Sequence, residues 1–214
     1  MNREFFAKIY RTFVGKHFYN PFSEKMIEKE ILFIHIPKSG GTSIATALIG
    51  KPSGHPYLYQ YYLSNKEYTK KFYKFCVVRN PYDRLVSAYA HISQRECNPE
   101  FKILFKELNI NSFDDLISNL DNPINYRKLT NKIVHFRSQN ELIHHKKIKM
   151  DDVFKFENFD LIEEVLNKKL SEKITLEKLN SSSRSEYQNY YNKYSISVAK
   201  KIYKKDLEMF DYSF

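Results

Sequence analysis

ILFIHIPKSGGTSIATALI, residues 31–49, decides the fold. Its first six residues, Ile31 to Ile36, form a short apolar run rich in β-branched side chains, the pattern of a strand buried on both faces of a parallel sheet. A turn containing Gly40 and Gly41 follows, and the pattern from Thr42 to Ile49 is helical. A glycine pair lets backbone come close to a phosphate. The start of the next helix presents unpaired N–H groups and the positive end of its dipole. Thr42 and Ser43 add hydroxyls, and Lys38 adds a flexible point charge. The segment from Pro37 to Ser43 therefore reads as an anion cradle. It is not a Walker A loop, in which the lysine follows the glycines; here it precedes them.

A second unit of the same kind lies downstream. Phe72 to Val78 is another apolar run; Arg79 and the turn signal Asn80-Pro81 end it, and Tyr82 to about Gln94 is helical. Two strand–turn–helix units argue for an α/β chain whose parallel strands are joined by helical crossovers. Arg79 stands where the strand ends, and Ser87 stands eight residues on, sharing a helix face with Asp83. Both can converge on one anion in the crevice outside the sheet, and the planar fork of an arginine suits a phosphate. Arg84 reads as structural, pairing with Asp83 or a distant acid.

Beyond these units the chain is mostly helical. Ser112 and Asp115 form a capping box opening SFDDLISNL. Residues 153–156 read as a third strand, with a helix from about Asn158. NSSSRS, 180–185, is a loop, and Glu186 to Met209 reads as one long helix. Residues 1–30 form an amphipathic basic helix and lead-in, and 31–214 form one domain. In the helix, Phe5, Phe6, Ile9, Tyr10, Phe13 and Val14 share a face that either docks on the domain or lies at a membrane surface.

With 214 residues the chain can bury a core without staples. The net charge of +10 favours anionic partners: nucleic acid, a membrane surface, a phosphorylated cofactor or an acidic polymer. Cys76 and Cys97 are too few for a disulfide scaffold or a cysteine-based zinc ribbon. No H-E-x-x-H or C-x-x-C spacing occurs, so no metal is expected. The charged N-terminal stretch lacks a signal-peptide core, and no run spans a bilayer. A cytoplasmic location follows, with contact at the inner membrane face through residues 3–17 left open. The excess of 27 lysines over 8 arginines points to a low-GC, bacterial coding sequence.

The pair IPKSGGTS and VRNPYDRLVSAY resembles the two phosphate-binding segments of sulfotransferases that use 3'-phosphoadenosine-5'-phosphosulfate (PAPS). It is most similar to the carbohydrate O-sulfotransferase branch, which includes heparan 2-O-sulfating enzymes and bacterial relatives. HFRSQ at 135–139, VFKFENF at 153–159 and an ending with Tyr203, Asp206, Phe210 and Tyr212 extend the resemblance over roughly 31–214. It implies a P-loop-like three-layer fold with a central, mostly parallel sheet flanked by helices. It implies that Lys38, Ser39, Gly40, Gly41, Thr42 and Ser43 hold the 5'-phosphosulfate, that Arg79 and Ser87 hold the 3'-phosphate, and that a late loop containing Arg184 closes over the nucleotide. The product would be adenosine-3',5'-bisphosphate. Two separate anion sites also suit a nucleotide charged at both its 3' and 5' positions.

Sulfuryl transfer to a hydroxyl needs stabilisation of the leaving phosphate oxygen, a task for Lys38, and a general base. His55, in the loop after the first helix, is the expected base, with His135 the runner-up. His35, within the apolar run, reads as a satisfied core histidine. His135, Arg137 and Gln139 are expected to meet the acceptor, a carbohydrate or glycolipid. The competing readings are a P-loop nucleotide kinase, which lacks a convincing Mg²⁺-binding aspartate, and a basic nucleic-acid- or membrane-binding module.

Overall fold

The computed structural model describes residues 20–94, 97–170, 173–176 and 185–214. Helix α1 (Glu24–Glu28) is capped by the Ser23 hydroxyl, which accepts from the Met26 N–H. Strand β1 (Ile31–Ile34) is buried throughout. The turn at 37–40 leads into α2 (Gly41–Ile49), and α3 (Leu58–Ser64) and α4 (Lys66–Lys71) return the chain to β2 (Tyr73–Val78). Helices α5 (Pro81–Gln94), α6 (Pro99–Glu107), α7 (Phe113–Asp121), α8 (Pro123–Lys132) and α9 (Gln139–Ile143) separate β2 from β3 (Asp152–Lys155). Then come α10 (Phe159–Leu170), α11 (Lys193–Ile202) and α12 (Lys204–Phe210).

The three strands form a parallel sheet in the order β1-β2-β3, flanked by helices: the α/β, P-loop-like architecture. Parallel neighbours cannot be joined by a tight hairpin, and the intervening helices supply the crossovers. Phe33 pairs with Phe75 in the register, and their rings stack at 5.0 Å. Contacts of this kind contribute ~0.5–1.5 kcal/mol beyond burial.

Two clusters of buried side chains hold the chain together. One joins the strands to Ile44 and Leu48 of α2, and it includes Phe22 and Met26, so the lead-in before residue 31 takes part in the core. The other is helical and sets Leu85 and Val86 of α5 against Leu116 and Ile117 of α7, Leu129 of α8 and Val198 of α11. The Ser112–Asp115 capping box opens α7 as expected.

The structure corrects several boundaries. Strand β1 stops at Ile34, so His35 and Ile36 lie beyond it. The third strand begins one residue earlier than expected, and a single 3₁₀ turn, Phe156–Asn158, precedes α10. The long C-terminal helix is instead a 3₁₀ turn, Tyr187–Tyr190, followed by α11 and α12. Asn192 and Ser195 form a capping box that starts α11 afresh. At Tyr203 the backbone leaves helical geometry, and its buried hydroxyl donates to the Phe136 carbonyl at 2.9 Å. The amphipathic segment 3–17 lies outside the described residues.

Candidate active site

The turn after β1 is built from unusual backbone. Lys38 and Gly40 both have positive φ, 67° and 74°. A Cβ at Gly40 would also stand 2.9 Å from the Phe159 ring and 3.0 Å from the Phe156 ring, so glycine is needed there twice over. Helix α2 starts at Gly41 with no side-chain cap and no acidic residue in its first turn. Its leading N–H groups and positive dipole end thus receive no cap from the residue that starts the helix. Ser39 is buried, and its hydroxyl has no hydrogen-bond partner among the described residues. Unmatched buried polar atoms are rare in folded chains, and at the mouth of an anion cradle such an atom is a place for a ligand. Thr42 is half-buried and Ser43 buried in the first turn of α2.

Arg79 meets this turn from the next strand. Its Nη1 donates to the Lys38 carbonyl at 3.1 Å, and its guanidinium lies 4.4 Å from the centre of the Phe156 ring. Asp83, one helical turn on, takes Nε at 2.7 Å and Nη2 at 2.6 Å. Ser87 is buried a further turn along α5. The two segments read separately from the sequence are therefore one rim.

The backbone of Arg79 is fixed by a residue expected elsewhere. Gln139 accepts from the Arg79 N–H at 2.9 Å and donates to the Arg79 carbonyl at 2.8 Å. It is fully buried, so the expected acceptor contact is corrected to a structural clasp. Arg137 is half-buried and bonded within the chain. Its Nε donates to the Thr130 carbonyl at 2.8 Å, one Nη to Asn131 at 2.9 Å and the other to Glu141 at 3.1 Å. Those bonds staple the 3₁₀ turn Val134–Phe136 to the end of α8. Arg84 is structural, as expected, but without an acid. It is fully buried, donates to the His135 and Arg137 carbonyls and lies 5.5 Å from the Tyr203 ring. Arg184 lies outside the described residues.

Next to the turn stand four imidazoles. The rings of His35 and His55 are 4.3 Å apart, His55 and His135 5.6 Å, and His135 and His91 5.5 Å. His55 Nδ1 lies 3.0 Å from the His35 carbonyl. A carbonyl only accepts, so Nδ1 carries the proton and Nε2 keeps its lone pair. Burial lowers the pKa of His55, and the Lys38 ammonium lowers it further, against the bond to His35. His55 is thus a neutral imidazole, the form in which a ring nitrogen can accept a proton. Burial holds His135 down to about 2, with His55 and Lys38 adding to the effect, and its Nδ1 has no partner among the described residues. The two histidines named as possible bases are neighbours.

Sequence reasoning missed His91 and placed His35 in the core without a role. His91 could have been found: Asp83, Ser87 and His91 follow one another at four-residue spacing along one face of α5. His35 carries no such signal, because only the tertiary fold brings its ring against α2. Among the described residues no group of three or more His, Cys, Asp or Glu side chains is placed to hold a metal ion, and no helix is long and apolar enough to cross a membrane.

A crossover sheet, an uncapped helix start behind a glycine turn and an arginine reaching over it make a candidate anion-handling site. The chain belongs to the sulfotransferase family, whose family model, described as "Sulfotransferase family", matches residues 27–213. Searches of curated proteins and of solved structures give no match. The protein is thus a transferase that moves a sulfuryl group.

Proposed function

We propose that the donor is PAPS and the acceptor a hydroxyl of a carbohydrate or glycoconjugate. The observation that carries the donor reading is the meeting of the two anion-binding segments, through the Arg79 Nη1 bond to the Lys38 carbonyl. One nucleotide charged at its 3' and 5' positions fits such a rim; a triphosphate, with its charge in one chain, needs only one of the two segments. The start of α2, with Lys38, Ser39, Thr42 and Ser43, holds the 5'-phosphosulfate. Arg79 and Ser87 take the 3'-phosphate, with Asp83 sharing the guanidinium.

The acceptor oxygen attacks sulfur in line with the bond to the leaving phosphate oxygen. The new O–S bond forms as the old one breaks, and the acceptor proton passes to His55 Nε2. Lys38 offsets the charge developing on the leaving oxygen. The products are a sulfate ester and adenosine-3',5'-bisphosphate. The carbohydrate acceptor is supported by the resemblance of both motifs to carbohydrate O-sulfotransferases. The net charge of +10 suits an acidic glycan.

Calorimetric titration with adenosine-3',5'-bisphosphate, ADP and ATP, with and without Mg²⁺, tests the donor. Selective, metal-independent binding of the bisphosphate is expected. Preference for ATP with Mg²⁺ would overturn the PAPS reading in favour of a kinase, and weak, salt-sensitive binding of all three would reduce the rim to a basic surface. Screening glycans and phenols with PAPS tests the acceptor; turnover of phenols alone sinks the carbohydrate assignment.

A further inference from the structure

We infer that His35 is a positioning residue that joins the donor loop to the base, its ring seated against Gly41 and its carbonyl orienting His55. The inference rests on the reading of His55 as the base.

The ring of His35 is held on three sides. Its Nδ1 lies 3.2 Å from the Ser53 carbonyl, which fixes the proton on Nδ1, and 2.9 Å from the Ser53 hydroxyl. It stacks on Phe33 at 5.8 Å and meets His55 edge-on at 4.3 Å. The remaining side faces α2: a Cβ at Gly41 would stand 2.1 Å from His35 Cδ2 and 2.5 Å from Nε2. Among the described glycines only Gly40 and Gly50 have positive φ, so backbone freedom does not explain Gly41. In an ordinary helix alanine would be preferred to glycine by ~0.8–1.0 kcal/mol. The glycine is there to admit the imidazole.

The same residue then acts through its backbone. His55 Nδ1–H donates to the His35 carbonyl, which leaves Nε2 as the basic nitrogen. The route from the helix start that cradles the donor to the atom that takes the proton therefore runs through one residue. A shift of α2 moves the ring, the ring moves the carbonyl, and the carbonyl turns the base. Misplacement by ~1 Å is enough to slow such a reaction ~10²-fold. Burial keeps His35 neutral, with its pKa lowered to about 3, so its ring adds no positive charge beside Lys38.

Reciprocal substitution tests this on the full chain. Gly41→Ala forces the ring aside and is expected to weaken adenosine-3',5'-bisphosphate binding and lower kcat, each roughly tenfold or more. His35→Ala should bind the bisphosphate normally, lose kcat and raise the acidic limb of its pH profile as water reaches His55. The double variant His35→Ala/Gly41→Ala should regain bisphosphate affinity, because the ring that clashes is gone, while kcat stays low. Independent, additive losses of affinity in the double variant would overturn the seating of the ring. Wild-type kcat and an unmoved acidic limb in His35→Ala would overturn the positioning role. Should His35→Ala fail to fold, Ser53→Ala removes one anchor and is expected to lower kcat with KM unchanged; an unchanged kcat counts against the proposal. Full activity in His55→Ala would instead sink the base assignment, while the affinity suppression, read by calorimetry, is independent of it.

Discussion

The turn at 37–43 and the C-terminal segment 203–212 treat buried polar groups in opposite ways. At the turn, the Ser39 hydroxyl has no partner among the described residues and the first turn of α2 has no side-chain cap. At the C-terminus, buried Asp206 accepts from the Ser138 hydroxyl at 2.5 Å and from the Gln139 and Asn140 N–H groups at 2.7 and 2.8 Å. Tyr203 donates to Phe136, and Tyr212 donates to Glu157 at 2.6 Å. Asp206 thus caps α9, which carries Gln139, which clasps Arg79. Polar groups matched within the chain make scaffold; those left for a ligand make a site.

Lys38→Ala should break the comparison most sharply. It keeps a Cβ and hence the fold, while turnover is expected to fall by ~10²–10³-fold, the scale of lost transition-state electrostatics. A variant with near-normal kcat would remove Lys38 from the chemistry. Asp206→Ala attacks the other region. Two buried N–H groups then lose their acceptor at about 1–3 kcal/mol each, which urea unfolding would show as a lower midpoint. An unchanged midpoint would mean that the clamp is dispensable.

The imidazoles near the turn set a pH dependence of stability. His35 and His135 have pKa values lowered to about 3 and about 2 by burial, against an ordinary 6.5 when unfolded. Between those values the unfolded chain binds protons that the folded chain refuses, so stability is full above pH 6.5 and lost as the pH falls toward 3. His35→Phe should flatten that decline in thermal melts; an identical profile would place the proton uptake elsewhere.

Arg79→Ala should weaken bisphosphate binding by ~1.5–3 kcal/mol, the range for a hydrogen bond to a charged group. Unaltered affinity would free the 3'-phosphate from Arg79. The finest test compares two buried serines. Ser138→Ala should lower stability by ~1.5–3 kcal/mol, because its hydroxyl donates to the buried Asp206 carboxylate. Ser39→Ala should leave stability within ~0.5 kcal/mol of the wild type and weaken only donor binding. Reversed outcomes would erase the distinction between scaffold and site.

Much of this was legible in the residues. The β-branched runs, the glycine turn and the strand-end arginine carry local signals, and so does the Ser112 capping box. What escaped depends on partners distant in sequence. HFRSQ shows why: His135 joins the imidazole cluster, whereas Arg137 is held by Thr130, Asn131 and Glu141, and Gln139 by the Arg79 backbone. A polar side chain reads the same in sequence whether its bonds are met inside the chain or kept for a substrate. The break at Tyr203 escaped for a related reason, since helical periodicity runs through it and only the buried hydroxyl bond marks the bend.

The left-handed backbone of Lys38 has a further consequence for selection. A residue with a Cβ is disfavoured there by ~1–2 kcal/mol, a cost that glycine avoids and asparagine lessens. Lys38→Gly is therefore expected to melt at or above the wild-type temperature while losing its chemistry. Selection for thermal stability alone would drift toward inactive protein at this position, and only a demand for turnover holds the lysine in place.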